Sequence, residues 1–123
     1  MGKQILVVDD DPVTLEALAE TLRIKLQDVD VAVCVSAQRA FEAVGFFNYD
    51  LVITDVRMPE MDGTELLKRI KAIRPDLPVL LMSGHPDEMV NGRPGKTLAN
   101  AFLAKPLNPK ALTNAIRQVF TTH

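Results

Sequence analysis

The chain has 123 residues, 47% of them hydrophobic and 24% charged, with a net charge of −2. That length suits one domain with its own core, the balance excludes a disordered polymer, and the charge leaves no electrostatic footprint for nucleic acid. No apolar run approaches the ~20 residues of a membrane helix, and the short run after Lys3 is no signal-peptide core, so a soluble, cytoplasmic protein of one domain (1–123) is expected.

Ile5-Leu6-Val7-Val8 is a short β-branched run that ends on Asp9-Asp10-Asp11 and Pro12. This predicts a buried strand, an acidic loop, and a helix with Asp11 as N-cap and Pro12 in its first position. Leu15, Leu18, Ala19, Leu22 and Leu26 recur at helical spacing along one stripe. A second strand covers 29–35 and carries the one cysteine, Cys34, which reads as a buried core thiol. Ser36 caps a second helix with Phe41, Val44 and Phe47 on its inner face.

The third strand, Leu51-Val52-Ile53-Thr54, drives into Asp55 and is followed by turn residues at Met58-Pro59 and Asp62-Gly63. A third helix begins near Asp62, carries Leu66, Leu67, Ile70 and Ile73 inward, and stops at Arg74-Pro75. Val79-Leu80-Leu81-Met82 forms a fourth strand ending at Ser83-Gly84, and 101–104 a fifth ending at Lys105-Pro106. Asn108 caps a last helix with Leu112, Ile116, Val119 and Phe120 facing inward. Between them, Asn91-Gly92 and Pro94-Gly95 break up the segment 84–100, so any helix there is short, near 86–90. His85 falls in this polar loop. With few apolar anchors, the segment is expected to be the least stable part of the domain and to switch by changing its order.

Strand and helix thus alternate five times, which implies a parallel sheet covered on both faces by right-handed crossovers. Such a sheet brings Asp9, Asp10, Asp55, Ser83 and Lys105 to one edge, where open α/β sheets place their ligands. Crowded carboxylates need protons or a cation, and oxygen donors without histidine or cysteine point to Mg²⁺. A lysine and a hydroxyl beside them suit phosphoryl transfer to a carboxylate. Singly, each residue has a plainer role: Asp11 and Asp62 as helix caps, Ser83 as a turn former, Lys105 as a surface charge.

Four motifs in order, ILVVDDD at 5–11, DLVITDVRMPEMDG at 50–63, PVLLMSG at 78–84 and FLAKP at 102–106, make the chain resemble a two-component response-regulator receiver domain. The resemblance implies a flavodoxin-like (βα)5 fold with strand order 2-1-3-4-5, here with a short or irregular fourth helix. It implies that Asp55 accepts phosphate from a kinase phosphohistidine and that Asp9 and Asp10 hold Mg²⁺, the second directly and the first through water. Arg57 would lend the metal its backbone carbonyl. Ser83 and Phe102 would be the switch residues, and Lys105 would bind phosphate across a Lys105-Pro106 bond that is often cis in the family. The implied partners are a histidine kinase or phosphotransfer protein and a downstream effector protein or domain, without nucleic acid or membrane.

Two other readings are a phosphatase of the haloacid-dehalogenase type and a receiver that binds partners without phosphorylation. The phosphatase needs an acid two residues after its nucleophile, where this chain has Arg57. Against the second stands a complete set of core positions. The expected activity is therefore self-phosphorylation and slow self-dephosphorylation, not catalysis on an outside substrate.

Overall fold

The computed structural model describes residues 2–84 and 99–122. Within them run β1 (Lys3–Val8), α1 (Pro12–Lys25), β2 (Val29–Cys34), α2 (Ala37–Phe46), β3 (Leu51–Asp55), α3 (Gly63–Ile73), β4 (Val79–Ser83), β5 (Ala101–Ala104) and α4 (Pro109–Thr122). The strands form one parallel sheet in the order β2-β1-β3-β4-β5. This is the flavodoxin-like arrangement expected, with four helices among the described residues. The short helix predicted near 86–90 and the loop holding His85 lie outside those residues.

Each helix starts where a side chain satisfies its orphan amides, a contribution of about 1 kcal/mol per cap. Asp11 accepts from the Val13 amide at 3.2 Å and the Thr14 hydroxyl at 2.6 Å. Ser36 accepts from the Arg39 amide, Asp62 from the Glu65 amide and Thr64 hydroxyl, and Asn108 from the Lys110 and Ala111 amides. The central strands β3 and β4 are buried along their whole length and β1 over Ile5–Val8, whereas the edge strands β2 and β5 are partly exposed. Side-chain alternation along the strands divides the core into two layers. Leu6, Val8, Val52 and Leu81 pack with α2 and α3 residues, among them Val44, Leu66 and Ile70. Ile5, Val7, Ile53 and Met82 face the other way, onto Leu15, Leu22, Leu112 and Ile116 of α1 and α4.

Three expected core positions are corrected. Phe47 follows the last residue of α2, is 61% exposed, and sets its ring edge-on to Tyr49. Ile73 closes α3 and is 48% exposed. Both continue a helical stripe past the point where the sheet still lies beneath it. Cys34 is only half-buried, because β2 is an edge strand, and its thiol donates to the Ser36 carbonyl.

Candidate functional site

The sheet register decides which side chains meet. Val8 pairs with Thr54, Asp55 with Met82, and Ser83 with Ala104. Asp9 therefore leaves the end of β1 beside Asp55, the last residue of β3. Lys105 follows β5, and its amide donates to the Ser83 carbonyl at 2.8 Å. One carboxylate oxygen from each of Asp9, Asp10 and Asp55 lies within 4.8 Å of the others. The Lys105 ammonium reaches into this group, 2.9 Å from Asp55 Oδ2 and 3.1 Å from Asp9 Oδ2. Asp9 and Asp55 are buried, whereas Asp10 is exposed.

Two carboxylates about 5 Å apart repel by roughly 3 kcal/mol at an effective dielectric of 20. A single ammonium balances one of three negative charges, so the cluster carries an excess of two. Burial of the Lys105 side chain works against its charge, but hydrogen bonds from its ammonium to Asp55 and Asp9, reinforced by their charges, raise its pKa above the usual lysine value. The lysine therefore stays protonated throughout the neutral range. Asp11 stays out of the cluster as a cap: its Thr14 and Val13 hydrogen bonds hold its carboxyl below the ordinary range.

The response regulator receiver domain model matches residues 5–117. The chain belongs to that family. Among curated relatives, the receiver is 38% identical over 120 residues to the transcriptional regulatory protein FixJ of Bradyrhizobium diazoefficiens, covering 93% of this chain and 57% of FixJ. It is 42% identical over 104 residues to the transcriptional regulatory protein ZraR of Escherichia coli K12, covering 85% of this chain and 23% of ZraR. The chain thus spans little more than half the length of one relative and about a quarter of the other. Among solved structures, the signal receiver domain of an HD domain-containing protein from Pseudomonas fluorescens Pf-5 superposes with a TM-score of 0.90 at 28% identity, covering 99% of this chain and 97% of that one. A response regulator receiver domain from Clostridium thermocellum gives 0.86 at 30% identity, covering 98% and 95%.

In the receiver, the remaining predicted residues take distinct places. Ser83 is 2% exposed at the end of β4. Arg57 is exposed in the loop after β3, where it lines a shallow depression with Asp10, Met58 and Asp62. Phe102 is half-buried on β5, opposite Leu81, against the α2/α3 layer. The Lys105-Pro106 peptide is cis. No helix among the described residues is long and apolar enough to cross a membrane.

Two residues of the second motif have a part in the site that their sequence pattern did not announce. A Cβ placed on Gly63 would collide with the Asp55 carbonyl oxygen, and the Thr54 hydroxyl donates to that same oxygen at 3.1 Å. The signal available for the first was a glycine opening a helix just after the central acid. For the second it was a hydroxyl in an otherwise apolar run.

Proposed function

We propose that Asp55 is the phosphoacceptor of this receiver and that Lys105, Ser83 and the acids around it form the site that charges it. The observation that carries this reading is the contact of Lys105 with both Asp9 and Asp55 at the strand ends. A carboxylate oxygen of Asp55 attacks the phosphorus of a phosphohistidine on a histidine kinase or phosphotransfer protein. The P–N bond breaks, the imidazole leaves with that electron pair, and an acyl phosphate forms on Asp55. Lys105 would hold the new phosphoryl oxygens as a fixed positive charge, and the Ser83 hydroxyl would donate to them.

The excess of two negative charges and the all-oxygen donor set fit Mg²⁺. Asp9, Asp10, Asp55 and the Arg57 backbone carbonyl would hold it. When bound, the metal neutralises charge on the transferring phosphoryl group. The chain's own part is to align the acceptor and exclude water, so it acts as a signalling module of the cytoplasm rather than on an outside substrate. Its downstream partner would be an effector protein or an attached domain, a reading supported by its similarity to proteins named as transcriptional regulators. Ser83 and Phe102 would transmit the change toward β4 and β5.

Treatment with acetyl phosphate and Mg²⁺ should add one phosphoryl group by intact mass, and Asp55→Asn should add none. A modified Asp55→Asn protein at wild-type yield would place the acceptor elsewhere. Mg²⁺ alone, at a hundredfold excess over its dissociation constant, should stabilise the fold by about 2.7 kcal/mol. Asp10→Ala should lose both that thermal shift and the phosphorylation; a wild-type response in Asp10→Ala would mean the metal binds outside the acid cluster.

A further inference from the structure

We infer that Thr54 is a positioning residue for Asp55, its hydroxyl fixing the backbone carbonyl from which the reacting side chain projects. The inference rests on the reading of Asp55 as phosphoacceptor. Thr54 is fully buried, with Val8 beside it on β1 and Leu81 beside it on β4. Both neighbours belong to the apolar layer that packs on α2 and α3. Valine would fill that space with the same shape and without desolvating a hydroxyl. What valine lacks is the 3.1 Å hydrogen bond from Oγ1 to the Asp55 carbonyl.

That carbonyl sits where the regular ladder gives out. The amides that tie down the neighbouring strand ends are spent on other acceptors: Val56 on Met82, Gly63 on Val56, and Lys105 on Ser83. Gly63 closes over the same oxygen from the start of α3. The Asp55 peptide is therefore held between a hydroxyl and a close-packed backbone, while Lys105 holds the far end of the side chain. In-line attack depends on this alignment, and small misplacements of a reacting group can slow a reaction by one to two orders of magnitude.

The test compares wild type, Thr54→Val, Thr54→Ser and Asp55→Asn, with acetyl phosphate as donor and saturating Mg²⁺. Thr54→Val should lower the limiting phosphorylation rate about tenfold, with an unchanged thermal midpoint and unchanged half-saturating donor concentration. Thr54→Ser keeps the hydroxyl and should stay within about twofold of wild type. The ¹³C resonance of the Asp55 backbone carbonyl should move in Thr54→Val and not in Thr54→Ser. A wild-type rate in Thr54→Val, or a serine variant as slow as the valine one, would overturn the inference. If wild type itself gains no phosphoryl group, the acceptor assignment fails; an unmoved Asp55 carbonyl resonance in Thr54→Val would then separately refute the hold by Thr54.

Discussion

Gly63→Ala is expected to destabilise the domain by about 3 kcal/mol, lowering the thermal midpoint by roughly 10 °C. The backbone of Gly63 does not need glycine, because its φ is not positive. The obstacle is what faces it: an added Cβ would overlap the Asp55 carbonyl oxygen and crowd the Val56 Cα. Both are backbone atoms of the central strand end, and they cannot step aside as a flexible side chain could. The Gly63 amide is also committed to the Val56 carbonyl at 2.7 Å, which draws the two segments together. Relief must come from pushing α3 off the sheet or tilting the Asp55 peptide, so phosphorylation should fall along with stability. Gly45 provides the contrast. It lies in α2, where an added methyl group would meet only open space, and Gly45→Ala should gain about 0.5–1 kcal/mol from helix propensity alone. Urea denaturation of the two variants should show midpoints moving in opposite directions, and equal midpoints would show that the close approach at Gly63 carries no weight.

What the sequence made legible follows from local chemistry. The cap residues Asp11, Ser36, Asp62 and Asn108 announce their helices because a short polar side chain followed by helical periodicity has few other uses. The strand ends were readable because short apolar runs stop abruptly at Asp9, Asp55 and Ser83. Strand order was not readable from those runs, since each buried parallel strand looks like the next; it came from the family resemblance. Cys34 shows the consequence: nothing local says that β2 is an edge, and so its half-exposure was missed. Phe47 and Ile73 fail for a related reason, as a periodic stripe does not reveal where the partner sheet ends. At the site, the acids and Lys105 were found because charge at a strand end is conspicuous. Thr54 and Gly63 were not, because their work is done on a backbone atom that the one-dimensional pattern does not expose.

Lys105→Met should destabilise the metal-free protein by about 3 kcal/mol at neutral pH, the lower end for breaking a buried ion pair. The lower end applies because the lysine side chain is 25% exposed and partly screened by water. Methionine keeps much of the stem's packing, so the loss isolates the charge. Without the ammonium, Asp9 at 1% exposure and Asp55 at 12% face each other uncompensated. Two rescues should follow from that cause. Adding Asp55→Asn removes one of the opposed charges and should restore stability more than Asp55→Asn stabilises the wild type, a coupling that a double-mutant cycle measures directly. Mg²⁺ should stabilise Lys105→Met at least as strongly as wild type, since the cation then meets a larger negative excess. The pH dependence has a definite sign. The Lys105 pKa is raised in the folded state, by hydrogen bonds and charge from Asp55 and Asp9 that outweigh its burial, so its contribution is complete below the ordinary lysine value of 10.5. It is lost as pH rises through the higher folded value. Wild type should thus lose stability in alkali by a step absent from Lys105→Met, and the two curves should converge there. Parallel curves throughout that range would mean that the lysine does not hold the acids together.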